Sequence, residues 1–237
     1  MIKKTKNSKS IKKTNKVKTN KGKTKKNLKS YGGAEKDKKL VIQYKNSLYI
    51  GDVDENNLPN GKGSSDFSDG SNYEGDWLKG EIMGKGTMKF KNGNIYDGDW
   101  LNGQMNGKGT MKFNNGIIYE GEWSNGNITG LGKMIYPSGH IYEGNFVNKQ
   151  FNGLGKMIYP SGHIYEGNWE NGVKEGKGKM SFVNGDTFEG NFENDMRQGL
   201  GKFLQKDESG NIVKSYEGMY DNDEPSNSSI ANPNLLD

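Results

Sequence analysis

Residues 73–95 read YEGDWLKGEIMGKGTMKFKNGNI, and 23 residues later, from Tyr96, the chain reads YDGDWLNGQMNGKGTMKFNNGII. The unit restarts at Tyr119, Tyr142 and Tyr165, then with Phe at Phe188. A longer gap of 28 residues, which absorbs a five-residue insertion, leads to a partial copy at Tyr216. Self-similarity at a short fixed period marks a repeat architecture. Two copies share fifteen identical residues, LGKMIYPSGHIYEGN, at 131–145 and 154–168, which points to duplication.

Within one unit YEGDW alternates strictly, with Tyr73, Gly75 and Trp77 on one side and Glu74 and Asp76 on the other. GTMKFK alternates as well, with Gly86, Met88 and Phe90 against Thr87, Lys89 and Lys91. Period two with aromatic enrichment predicts two strands, joined by a glycine-containing loop ending at Gly84. Asn92-Gly93 after the second strand predicts a tight hairpin turn. The fold class is therefore all-β, an elongated single-layer antiparallel meander of repeated hairpins.

The period generates columns. The first strands place Tyr73, Tyr96, Tyr119, Tyr142, Tyr165 and Phe188 in one, and Trp77, Trp100, Trp123, Phe146, Trp169 and Phe192 in another. Between them stand Gly75, Gly98, Gly121, Gly144, Gly167 and Gly190, with Gly86, Gly109, Gly132, Gly155, Gly178 and Gly201 in the second strands. Glycine weakens a strand unless its space is needed, and an aromatic ring lying flat over the backbone would need it. Interlocked rings and glycines then form a core without a second layer, and stability sums over neighbouring repeats. The opposite face carries Glu74, Asp97, Glu120, Glu143, Glu166, Glu189 and Glu217 with Lys133, Lys156, Lys179 and Lys202. That row reads as a solvated face with cross-strand ion pairs.

Composition alone suggests disorder, with 30% hydrophobic residues and 36 glycines. The regular spacing of the aromatics overrides it for the body. The formal charge of +5 is split: residues 1–39 hold sixteen Lys and two acids, a net of +14, leaving a net of −9 for 40–237. The arm 1–39 lacks hydrophobic periodicity and reads as disordered and solvated. Its functional readings are nuclear import, nucleic acid or an anionic membrane, with Lys12, Lys13, Lys23, Lys25 and Lys26 as candidate anion contacts. The absence of Arg and the scarcity of aromatics there disfavour specific nucleic-acid recognition. There is no cysteine and no apolar run near the ~20 residues of a membrane span, and the basic N-terminus lacks a signal-like apolar segment. A cytoplasmic protein is the expectation, with membrane or cytoskeletal association and the nucleus left open.

Tyr49–Asn72 fits the repeat frame with one extra loop residue, and Leu40, Ile42 and Tyr44 alternate like a lone second strand. The sheet is accordingly assigned to 40–220 and a polar, acidic tail to 221–237. Its open edges fall near Leu40–Tyr44 and Tyr216–Tyr220, and a homodimer, if one forms, is expected at the latter, where Tyr216 and Tyr220 would pack across a two-fold axis.

The pattern Y-E-G-x-W-x-N-G followed by G-x-G resembles the MORN repeat, and the fit runs from Tyr49 to Tyr220. The resemblance implies an elongated antiparallel sheet. It also implies a targeting or tethering role, as in plant phosphatidylinositol phosphate kinases, membrane-junction proteins and ciliary scaffolds, where catalysis belongs to a separate domain. It is silent on the arm and the tail.

Residues that suggest chemistry do not assemble into a site. GQMNGKGT at 103–110 has three residues between glycines where a phosphate loop has four, and Gly109 stands where Ser or Thr should be. DVDENNLPNGKG at 52–63 places Asp52, Asp54 and Asn56 at calcium-loop spacing, but Asn57 and Gly63 replace the required Gly and Glu. His140 and His163 sit one repeat apart, ~10 Å across two strand spacings, too far to share a metal. No enzyme, cofactor or metal is expected. The chain reads as a scaffold for protein partners, with a phospholipid tether through the arm as the alternative and a binding partner of a separate lipid kinase or methyltransferase as a third reading.

Overall fold

The computed structural model describes residues 39–226 and the backbone of 29–31. These form one antiparallel sheet of eighteen strands, with no helix among the described residues. After β1 (Lys29–Tyr31) and β2 (Lys39–Tyr44) come the hairpins β3–β4 (Ser47–Val53, Pro59–Phe67), β5–β6 (Asn72–Leu78, Glu81–Lys89) and β7–β8 (Ile95–Leu101, Gln104–Lys112). They continue as β9–β10 (Ile118–Ser124, Asn127–Ile135), β11–β12 (Ile141–Val147, Gln150–Ile158), β13–β14 (Ile164–Glu170, Val173–Ser181) and β15–β16 (Thr187–Glu193, Met196–Lys206). β17 (Ile212–Asp221) and β18 (Glu224–Pro225) close the array, and each strand pairs with its neighbours in sequence.

The turns differ from the sequence expectation. The tight two-residue turn lies inside each repeat, at Lys79-Gly80, Asn102-Gly103, Asn125-Gly126 and Asn171-Gly172, where both residues have positive φ. That double requirement defines the type I′ turn, and Asn-Gly meets it at little cost. At Asn92-Gly93 only Gly93 has positive φ. There the Asn92 carboxamide accepts the Asn94 N–H at 3.1 Å and Phe90 N–H donates to Asn94 O at 2.9 Å, which makes a longer loop. Gly84 does not end a loop but bulges within β6. Between the pairs Gly75–Gly86 and Trp77–Ile82 there is one residue on β5 and three on β6. Asp76 serves that bulge by accepting the Lys85 N–H at 3.0 Å while Lys62 Nζ approaches it at 2.7 Å. The Lys62 contact, then the Lys85 N–H, holds its carboxyl below the usual carboxylate range.

The core is a ladder of rings. Tyr49, Trp77, Tyr73, Trp100, Tyr96, Trp123, Tyr119, Phe146, Tyr142, Trp169 and Tyr165 meet edge to face in unbroken succession, with centroids 5.1–5.5 Å apart. Phe192, Phe188, Tyr220 and Tyr216 continue it to the C-terminal edge. Each such contact adds ~0.5–1.5 kcal/mol beyond burial. Every first-column tyrosine lies across a glycine pair and donates its hydroxyl to the carbonyl three residues on, as Tyr96 does to Asp99 at 2.9 Å. The tryptophans donate Nε1–H to a glycine carbonyl of the preceding repeat, as Trp100 does to Gly86 at 2.9 Å.

Burial pushes the phenols of Tyr49, Tyr119 and Tyr142 up to about 12. A folded-state value raised above the ordinary 10 gives stability that is complete below pH 10 and lost as pH rises towards 12. Alkaline titration should therefore show phenolate absorbance appearing together with loss of the β-sheet circular dichroism. Titration of all twelve tyrosines near 10 with the sheet intact would contradict the burial.

Each expected edge is covered in part, over Lys39–Val41 at one end and Tyr220–Asp221 at the other. Lys29, Ser30 and Tyr31 pair with Val41, Leu40 and Lys39, within the stretch assigned to the arm. At the other end the sheet runs past 220, and Tyr220 and Asp221 pair with Pro225 and Glu224. Ser226 N–H donates to Met219 O at 2.8 Å. Tyr216 and Tyr220 are 8% and 4% exposed, so their rings belong to the ladder and are not available for packing across a two-fold axis. The physical reason is that very short terminal strands, here ending in a proline without an N–H, blunt edge pairing.

Candidate interaction surface

The two faces of the sheet have opposite characters. The residues singled out from sequence for the first aromatic column, Tyr73 to Phe188, are at most 1% exposed, and those of the second, Trp77 to Phe192, at most 6%. The glycines beneath them are filled. A Cβ on Gly75 would lie 2.4 Å from Tyr73 Oη, and one on Gly144 2.5 Å from Tyr142 Oη. The aromatic columns are closed to a ligand, and the glycines are closed on the side that faces the rings. The lysines Lys12, Lys13, Lys23, Lys25 and Lys26 lie outside the described residues.

The outward face is charged for most of its length. Lys133 pairs with Glu143 at 2.6 Å, Lys156 with Glu166 at 3.0 Å and Lys202 with Glu217 at 3.2 Å. These exposed pairs contribute ~0–1 kcal/mol each. Beside this row runs the central residue of each G-x-G, and its chemistry changes along the sheet. In the N-terminal half it is Lys62, Lys85 and Lys108, standing opposite Asp76, Asp99 and Glu122. In the C-terminal half it is Leu131, Leu154, Lys177 and Leu200, opposite Asn145, Asn168, Asn191 and Met219. Leu131, Leu154 and Leu200 are 64%, 72% and 65% exposed. A single exposed leucine is ordinary, but three in register on a charged face form an apolar row that calls for an explanation.

Leu154 and Leu200 border a cleft of about 1090 Å³ on β11–β16, with Gly155, Gly167, Gly178 and Gly190 along its floor and Lys156, Glu166, Lys179 and Glu189 along one wall, while Leu131 lies on β10, one strand beyond its end. On the far side of the charged row a second apolar line crosses five adjacent strands. Ile118, Ile135, Ile141, Ile158 and Ile164 pair in sequence and are all half-buried. The sequence reading did not single out either line. The signal was present in LGKMI, where alternation sends Leu and Ile to the side opposite Met.

A second missed feature sits in the core column Pro59, Ile82, Met105, Ile128, Phe151, which ends in Lys174 and Arg197. Lys174 Nζ lies 5.3 Å from the Phe192 ring centroid, and the Arg197 guanidinium 5.2 Å from that of Tyr220. Arg197 Nε bonds to Asp223 Oδ1 at 3.0 Å and Nη2 to Asp223 O at 2.7 Å, tying the last turn to the array. Burial pushes the Lys174 amine down, opposed by Asp195 and Asp223.

The acid and histidine side chains are occupied structurally. Asp54 accepts the N–H groups of Asn56 and Leu58, both at 2.9 Å, and Asp52 accepts that of Lys62 at 3.1 Å. His163 Nδ1 accepts the Val183 N–H at 3.1 Å, and His140 Nδ1 lies 2.9 Å from Ser138 Oγ. No cluster of three metal-ligating side chains occurs among the described residues.

Among solved structures, the chain is similar to the TCP domain of SAS-4 (dCPAP) of Drosophila melanogaster in complex with a proline-rich motif of Ana2 (dSTIL). The identity is 9%, with 71% of this chain and 88% of that chain covered and a TM-score of 0.42. It is also similar to the TCP10 domain of Danio rerio CPAP, at 9% identity, 75% and 99% coverage and a TM-score of 0.36. No curated protein matches the sequence. The MORN repeat profile matches seven consecutive copies, at 49–72, 73–95, 96–118, 119–141, 142–164, 165–187 and 188–209, more than half of the chain. The chain therefore belongs to the MORN-repeat family.

Proposed function

We propose that this protein is a non-enzymatic scaffold that holds a partner protein in the cleft across β11–β16. The observation that carries this reading is the row of Leu131, Leu154 and Leu200, aligned and largely exposed on a face that is otherwise charged. Burying such side chains supplies affinity of ~25 cal/mol per Å² of apolar surface removed from water, while the flanking lysines and glutamates set register. The test is affinity capture by the full chain, with bound proteins identified by mass spectrometry, for three forms. These are wild type, the pair Leu154→Asp with Leu200→Asp, and Val183→Asp, an exposed loop position away from the cleft. A partner lost only with the cleft pair supports the reading, and a partner equally retained by all three overturns it.

The charge split carries a second, separable reading, in which the arm adds attraction to an anionic membrane surface. Lysines near such a surface contribute ~1 kcal/mol each, and salt screens them. Deleting residues 1–28, which leaves β1 in place, is expected to abolish sedimentation with phosphatidylserine liposomes. Retained binding at physiological salt would move the lipid contact onto the sheet.

A further inference from the structure

The cleft has a long axis and a pitch, and both restrict what can lie in it. It is lined by residues from six successive strands but by only three consecutive positions on each of the inner ones, such as Leu154–Lys156 and Lys177–Lys179. It therefore runs across the strands for ~24 Å and is narrow along them. Its contact row, Leu154, Lys177 and Leu200, recurs every second strand, a pitch of ~9.6 Å, and Leu131 on β10 continues the row one step past the end of the cleft.

A bound chain must present one face at that interval. An extended strand advances ~10 Å in three residues, but its side chains alternate, so every third residue would point away from the row. A helix returns to the same face after seven residues at ~10.5 Å, and the mismatch grows to ~2.7 Å over three intervals. A polyproline II segment repeats its face every third residue at ~9.3 Å. Only the last matches both pitch and direction. The third position of the row adds charge, because Lys177 and its neighbour Lys179 have no ion-pair partner among the described residues.

We propose that the occupant of the cleft is a segment of a partner protein in polyproline II conformation, with apolar residues at every third position and an acidic residue facing Lys177. This rests on the cleft being the binding surface. It specifies the occupant's conformation and residue spacing, and the sign of the charge it presents.

The probe is a fluorescent peptide of four Xaa-Pro-Pro triplets with Xaa in the order Leu, Leu, Glu, Leu, measured by anisotropy against the full chain. The expected result is saturable binding, at least tenfold tighter than that of a peptide with the same residues spaced every fourth position. Leu154→Asp should weaken it at least tenfold with unchanged circular dichroism, since Leu154 is a surface residue. Lys177→Glu should weaken it comparably, and a peptide with Lys in place of Glu should restore binding to that variant. Equal or tighter binding of an amphipathic helical peptide with leucines at heptad spacing, sensitive to Leu154→Asp, overturns the conformation while leaving the cleft as the binding surface. Binding of the triplet peptide that is insensitive to Leu154→Asp rejects both. No binding of the triplet peptide overturns this inference, and the capture experiment still decides the cleft.

Discussion

Replacing Gly98 with valine in the full chain is expected to lower stability by roughly 2–4 kcal/mol, a large effect for a residue with no side chain. A Cβ at position 98 would lie 2.5 Å from Gly109 Cα and 2.7 Å from Lys108 O, both backbone, and 2.6 Å from Tyr96 Oη. The backbone atoms cannot rotate away, and Tyr96 is fully buried. The strand must separate from its partner or Tyr96 must leave its slot, losing its bond to Asp99 O. Gly103→Asn is the comparison. Position 103 has open space around it and a φ of 76°, which asparagine tolerates. Its cost should stay below ~1 kcal/mol. The readout is the urea midpoint of each full-length variant followed by tryptophan fluorescence, and similar midpoints for the two would contradict the ring-on-glycine packing.

Removing one rung of the ladder gives the second large effect. Trp123 is 5% exposed, meets Tyr96 and Tyr119 edge to face and donates to Gly109 O at 3.1 Å. Trp123→Ala is expected to cost ~3–5 kcal/mol. Trp123→Phe should cost much less, because Phe146 and Phe192 occupy the equivalent rung and keep the same ring contacts. What it loses is chiefly the indole hydrogen bond, ~1 kcal/mol. Glu120→Ala, on the outward face of the same strand, should stay within ~0.5 kcal/mol. The three denaturation midpoints, measured side by side, check the order.

The sheet and its columns were legible in the sequence because one period fixes everything at once. Tyr73, Gly75 and Trp77 share a side by alternation, and the 23-residue restart stacks each on its successor. The turn was misplaced because Asn-Gly occurs three times in the repeat 96–118, at 102–103, 106–107 and 115–116, and propensity does not say which pair carries two positive φ values. That choice depends on where the bulge at Gly107 falls, which is set by pairing across the hairpin. The edges were misread because β18 pairs through only two residues, too short to leave a pattern. The cleft was missed for another reason. Leu131 and Leu154 sit in a stretch dominated by glycines and rings, and their exposure depends on no described residue folding over that face.

The pairing of every strand with its sequence neighbours has a mechanical consequence. Tension applied between the two ends of the sheet acts across the strands, so it loads the hydrogen bonds of one rung at a time and not many in parallel. The array should open from an end like a zipper, each repeat of 23 residues yielding ~70 Å of slack: ~80 Å of extended chain less the ~10 Å it spanned when folded. Single-molecule pulling from the termini should show evenly spaced, low-force steps of that length, and one abrupt rip would contradict it. A cargo held in the cleft over β11–β16 would then bridge five rungs and stiffen that stretch, so that extensibility falls where the load is carried.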